Sequence, residues 1–291
     1  MGKSITAKMI AVYLRKFGDI AKSEERAKKE LEQKMRAEET PLSDKLLRGE
    51  DVRLETVAGC QVITCGDESS EQCILYVHGG AYTMEVTLPH VNFCSKVVGR
   101  TGCCIYIPVY PLAPRHHYDE TYALMDELYG MIKDRTIAFM GDSAGGGFVF
   151  SYTQYLRDRG EKLPGKIIGI SPWVDVSMSS SDYASYEPKD PMLGVPGLVL
   201  AGKAWAGGLD TKDPRVSPMY GDNKGLPPVT LFTGTDEILY PDIVLYAEKL
   251  RKDGVQTDLI IGEGMNHVYP VYPIPEAKEA MEKIVNKLNC Q

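Results

Sequence analysis

The chain of 291 residues has no unbroken apolar run of about eighteen residues, so no membrane-spanning helix is expected. Its first residues lack a continuous apolar core and a cleavage-like site, which speaks against a secretory signal. Neither C-x-x-C nor H-E-x-x-H occurs, so no metal site is suggested and no cofactor is expected. Positive charge is in deficit. A net charge of −7 and a pI near 5.4 remove nucleic acid as an expected partner. Seven cysteines are an odd number, and Cys103-Cys104 sit in an apolar run that reads as a buried strand. Buried free thiols suit a reducing compartment, so a cytoplasmic protein is expected. The lack of a spanning run leaves no membrane partner expected, and a small molecule is the expected partner.

What is present centres on Ile137 to Gly147. Four apolar residues run into Gly141-Asp142-Ser143-Ala144-Gly145, and a helix-compatible segment follows. Strand, tight turn and helix start put the Ser143 hydroxyl at the carboxyl end of a sheet. Gly141 and Gly145 are small because strand and helix cross closely there. The helix from about Ala144 to Arg159 would aim its free N–H groups at the site.

Around this stretch, strands and helices alternate. Strands are expected at 73–77, 103–107, 137–140, 166–170, 229–233 and 257–261, with helices at 89–99, 118–132, 146–159, 242–252 and 275–288. Two further strands, 52–57 and 61–65, form a hairpin through Ala58-Gly59. The pattern implies a mostly parallel sheet with helices on both faces, an α/β fold whose ligands bind beyond the carboxyl ends of the strands.

Residues 1–48 read differently. Met9, Ile10, Tyr13, Leu14, Phe17 and Ile20 recur at helical spacing and would make one apolar face. Lys22 to Glu39 mixes Lys, Arg, Glu and Ala, with apolar anchors at Leu31 and Met35. It reads as a solvated helix laced with i, i+4 pairs, or as a lid element; Pro41 marks its exit. Met1 to Thr6 matches the myristoylation pattern, which is too short and degenerate to carry weight. Residues 173–219, rich in Ser, Pro and Gly, read as an insertion over a core of 49–172 and 220–291.

A serine needs a base, and the base needs a carboxylate. Of five histidines, only His267 follows Ser143, in a loop after the last strand. The acid is expected between them, at a strand end. Asp236 comes first past the strand at 229–233. Glu237 and Asp242 are the alternatives, and Asp175 is a weaker one. Backbone N–H groups of Gly79, Gly80 and Ala144 are the expected oxyanion donors, because the two glycines let the chain turn its N–H groups to the rim. Tyr82, Asp142, Leu198 and Trp205 are candidate pocket residues, although the apolar ones fit a core equally well.

These motifs resemble the hormone-sensitive-lipase-like group of α/β-hydrolases over about residues 50–289. His78-Gly79-Gly80-Ala81 is similar to the family's H-G-G-G segment, and Gly141-Asp142-Ser143-Ala144-Gly145-Gly146 to its G-D-S-A-G-G elbow. Tyr110 to His117 is similar to its Y-R-L-A-P-E-H segment, with Pro111 and Arg115 as departures. Asp213 to Pro218, Asp236 to Leu239 and Gly264 to His267 match further motifs. The resemblance implies an eight-stranded hydrolase sheet, a helical cap built from residues 1–48 and 173–219, and a cofactor-independent serine carboxylesterase acting on short- to medium-chain esters. An amidase or arylformamidase on the same residues is the alternative. A ligand receptor on this fold, as in the gibberellin receptors, would lack the histidine that stands here at 267. A partner-binding role for the N-terminal helix and a homodimer through the last strand are further readings.

Overall fold

The computed structural model describes residues 3–17, 22–37, 42–49, 51–57 and 59–289. Met1, Gly2, Ile20, Glu39, Pro41 and Ala58, which figure in the readings above, lie outside these residues. Two helices come first, α1 (Ile5–Phe17) and α2 (Glu24–Arg36). A hairpin follows, β1 (Val52–Val57) and β2 (Cys60–Cys65), with Val57 opposite Cys60. Then come β3 (Cys73–Val77), α3 (Leu88–Thr101), β4 (Cys104–Pro108), α4 (Tyr118–Ile132), β5 (Thr136–Asp142), α5 (Ser143–Asp158) and β6 (Ile167–Ile170). The chain continues through α6 (Tyr183–Tyr186), α7 (Val195–Ala206), β7 (Val229–Gly234), α8 (Tyr240–Lys252), β8 (Thr257–Gly262) and α9 (Pro275–Asn289).

The eight strands make one sheet in the order β1-β2-β4-β3-β5-β6-β7-β8. The β1–β2 and β2–β4 pairings are antiparallel, and all others are parallel. The central strands are buried almost throughout because helices cover both faces, which is why they read as largely apolar runs. Period-two geometry divides them between two cores. Leu75, Val77, Phe139, Ile167 and Leu231 face one core. Ile74, Tyr76, Met140, Ile168 and Phe232 face the other.

The expected apolar face of α1 is corrected. Ala7 and Leu14 are the buried residues, whereas Met9 and Tyr13 point outward. In α2 the buried residue is Ala27, while Met35 is exposed. The expected surface pairs are present, Glu24 with Lys28 at 2.6 Å and Arg26 with Glu30 at 2.9 Å. α2 packs on α7, and Lys34 Nζ donates to the Thr83 carbonyl at 2.6 Å, so residues 22–37 reach the turn that follows β3.

Candidate active site

β5 runs directly into α5 at Ser143, whose φ is +51°. A non-glycine residue in the left-handed region costs about 1 kcal/mol or more, and such strain persists only where neighbours impose it. Here the neighbours are close. A Cβ on Gly145 would lie 2.1 Å from the Val77 carbonyl oxygen and 2.6 Å from that of His78. The first turn of α5 is thus pressed against the end of β3, and the serine is pushed to the rim.

The Ser143 hydroxyl donates to His267 Nε2 at 2.9 Å, and His267 Nδ1–H donates to a carboxylate at 2.5 Å. That carboxylate is Glu237, not Asp236 as expected. Thr235 and Asp236 form the turn leaving β7, so the Asp236 side chain leaves the rim on its outer side. It is 26% exposed and pairs with Lys3 Nζ at 2.6 Å. Glu237 comes one residue later, fully buried, and its longer side chain folds back beneath the turn. Its Oε1 accepts from Gly234 N–H at 2.8 Å and from Ser171 Oγ at 3.0 Å. Asp242 lies in the first turn of α8 with its carboxylate on Tyr183, and Asp175 holds Ser177 and Tyr220; neither meets His267 in the structure.

Burial opposes charge on His267, but the Glu237 hydrogen bond and charge, aided by Asp190 and Asp142, outweigh it and hold the imidazole above its ordinary range. If neutral His267 is the working base, kcat/KM for a soluble ester must fall as pH drops through that raised value. The acid limb is therefore expected above about 6.5. A limb below that value in a pH–rate profile would contradict the geometry.

The turn after β3 needs a second correction. Gly79 N–H is not available as a donor, because it already donates to Asp142 Oδ1 at 3.0 Å. The chain then turns through Gly80, Ala81 and Tyr82 with φ of +115°, +52° and +60°. Successive left-handed residues turn N–H groups toward one concavity, a shape suited to an anion. Among the described residues, the N–H groups of Gly80 and Ala81 have no acceptor, and Ala144 N–H belongs to the unpaired first turn of α5. The N–H groups left without an acceptor at this rim, among the described residues, are therefore those of Gly80, Ala81 and Ala144.

Asp142 was a candidate pocket residue, and the structure instead buries it behind the elbow. Its Oδ1 accepts from Tyr76 OH at 2.6 Å as well as from Gly79, and its Oδ2 faces His90 Nε2 at 3.4 Å. Thr87 N–H donates to His90 Nδ1 at 3.0 Å, which leaves the proton on Nε2, toward Asp142. Burial raises the Asp142 carboxyl, yet His90 and the hydrogen bonds from His90 and Tyr76 bring it below its usual range. Burial drives His78 down to about 3, so its ring stays neutral, stacked on Tyr110 at 4.4 Å. Asp142 thus anchors the turn from behind. Asp142→Asn keeps the acceptor but removes the charge; it is expected to lower kcat/KM about tenfold with KM nearly unchanged, since a charged hydrogen bond exceeds a neutral one by about 1–1.5 kcal/mol. Unchanged kcat would show that the turn holds itself.

Tyr82, Leu198 and Trp205 are all buried in the core over α5. Tyr82 lies flat on Trp205, with ring centroids 4.1 Å apart at 2°. Sequence reasoning also missed two supporting residues. Ser171, at φ +47°, links the acid and base loops by donating to Glu237 and accepting from Val268 N–H at 3.0 Å. Asp190 is a buried carboxylate that accepts from Ile238 N–H at 2.8 Å and from Met192 and Leu193 N–H, tying residues 173–219 to the acid loop. The only signal for either is its place beside a chain reversal.

Comparison with known proteins shows the family. The profile of a family with the alpha/beta hydrolase fold matches residues 74–271. An esterase of Acinetobacter venetianus is 29% identical over 241 residues, covering 80% of this chain and 79% of its own length. An acetyl-hydrolase of Streptomyces hygroscopicus is 27% identical over 216 residues, 72% of each chain. Among solved structures, an esterase from the bacterial hormone-sensitive lipase family superposes with a TM-score of 0.82 at 26% identity, over 99% of this chain and 98% of that one.

Proposed function

The chain belongs to the hormone-sensitive-lipase-like α/β-hydrolases, and from that membership we propose a serine carboxylesterase working through Ser143, His267 and Glu237. The observation that carries the mechanism is the continuous hydrogen-bonded line from the Ser143 hydroxyl through both ring nitrogens of His267 to buried Glu237. Ser143 Oγ attacks the ester carbonyl while His267 Nε2 takes its proton. Glu237 fixes the ring so that Nε2 is the free nitrogen, and it stabilises the imidazolium. The carbonyl oxygen, now negative, lies among the N–H groups of Gly80, Ala81 and Ala144, each worth a few kcal/mol to the transition state. The C–O bond of the tetrahedral intermediate breaks, and the alcohol leaves with the proton from His267. Water then adds to the acyl carbonyl as His267 takes its proton; the bond from the acyl carbon to Ser143 Oγ breaks, His267 returns the proton to Oγ, and the acid is released.

Residues 1–48 and 173–219 act as the cap in this reading, with α2 on α7 and Lys34 on the oxyanion turn as its support. The Tyr82–Trp205 stack fills space beside that turn and favours short acyl chains. The six cysteines among the described residues are free, which fits a reducing, cytoplasmic setting.

The test is turnover of a p-nitrophenyl ester series from acetate to palmitate, with an organophosphate as a stoichiometric probe. Short esters should turn over fastest, and the phosphoryl group should be found by mass spectrometry on the peptide containing Ser143. Folded protein that cleaves none of these esters, or carries the label elsewhere, would refute the reading.

A further inference from the structure

α1 has apolar residues on two opposite sides, and among the described residues only one side is buried. Ala7 and Leu14 are buried on the inner side. The start of the helix is fastened down. Ser4 N–H and Oγ donate to Glu276 at 2.7 and 2.9 Å, and Lys3 holds Asp236, next to Glu237. At about 100° per residue, Ile5, Met9, Val12 and Tyr13 share the outer side. They are 78%, 67%, 67% and 61% exposed. An outer helix face is ordinarily polar, and four large apolar side chains grouped there mark an interaction surface rather than scatter.

The charges name the partner. α1 carries Lys8, Arg15 and Lys16 and no carboxylate, in a chain whose net charge is −7. An apolar stripe with Lys8 and Arg15 along one border and Lys16 at its C-terminal end matches an anionic lipid interface, where hydrocarbon takes the stripe and phosphates take the cations. A second copy packed on the same face would bring like charges together. We propose that α1 lies flat on an anionic phospholipid surface, with Ile5, Met9, Val12 and Tyr13 turned into it. The sequence-based expectation of no membrane partner rested on the lack of a spanning run, and a helix lying in the interface needs none. Because α1 is tied to the acid loop and to α9, docking would hold the carboxyl-end rim of the sheet near the lipid.

The experiment is co-sedimentation of the full chain with vesicles of phosphatidylcholine containing about one-third phosphatidylglycerol, beside pure phosphatidylcholine. Binding to the anionic vesicles is expected to exceed that to neutral ones by about tenfold or more and to weaken as salt is raised. Met9→Glu/Val12→Glu should lower it by about tenfold or more while leaving turnover of soluble p-nitrophenyl acetate unchanged, which shows the fold intact. Ser143→Ala should bind like wild type, so the result stands apart from the esterase reading. Absence of binding to anionic vesicles, or equal binding by the double variant, overturns the proposal. So does a dimer, measured by light scattering, that the double variant dissolves, because the face would then belong to a second copy.

Discussion

Ser143→Ala is expected to lower kcat/KM for p-nitrophenyl acetate by about 10⁶, and Glu237→Gln by about 10⁴. Asp236→Asn should change it by less than about fivefold. The contrast between two adjacent carboxylates is the decisive part. Glu237 is fully buried and holds His267 Nδ1–H, so its amide would present the wrong partner to the ring and leave buried donors poorly satisfied. Asp236 is partly exposed, and among the described residues its side chain meets only Lys3, a surface pair worth about 0–1 kcal/mol. Steady-state kinetics on the three variants decides the matter. Loss in Asp236→Asn with activity kept in Glu237→Gln would return the acid role to Asp236 and show that the acid loop rearranges in solution. A Ser143→Ala protein that retained ester turnover would end the covalent mechanism altogether.

Gly145→Ala should destabilise the fold by about 3 kcal/mol or more and lower Tm by about 6–10 °C. The added methyl would have to occupy space 2.1 Å from the Val77 carbonyl oxygen, and the atoms in its way are backbone of the central strand β3, not a side chain that can swing aside. β3 lies between β4 and β5, so it cannot retreat without breaking a ladder on one side. Gly99→Ala is the matching control. It sits in α3 with nothing within 4 Å of the added carbon, and alanine is the better helix former by about 1 kcal/mol. Calorimetry should therefore show one glycine variant falling and the other unchanged or rising. Equal Tm values would mean that the elbow yields more easily than its contacts imply.

The wrong choice between Asp236 and Glu237 shows where a linear reading runs out. Sequence separation put both carboxylates just past the end of β7, and rank along the chain is a poor guide to direction. What selects between them is the turn at Thr235 and Asp236, together with receptors supplied from elsewhere: Lys3 for one, Ser171 and His267 for the other. The oxyanion donors went astray by one residue for a similar reason. Gly79 and Gly80 look equivalent in sequence, but Asp142, at the end of the neighbouring strand β5, takes the first N–H. The apolar face of α1 was misjudged because periodicity reports that a helix is amphipathic, or apolar on two sides, without saying which side meets the protein.

The chain by itself determined the alternation of strands and helices, the buried central strands, and the elbow at Ser143 followed by His267. These depend on local propensity, on unbroken apolar runs and on glycines where backbone crosses backbone, all of which are written in neighbouring residues. Only the tertiary structure decided which carboxylate holds the histidine, which N–H groups stay unpaired, and that Asp142, His90, Ser171 and Asp190 brace the site from behind. Those choices turn on hydrogen bonds between residues tens to hundreds of positions apart, and burial settles them by leaving each buried polar atom few partners within reach.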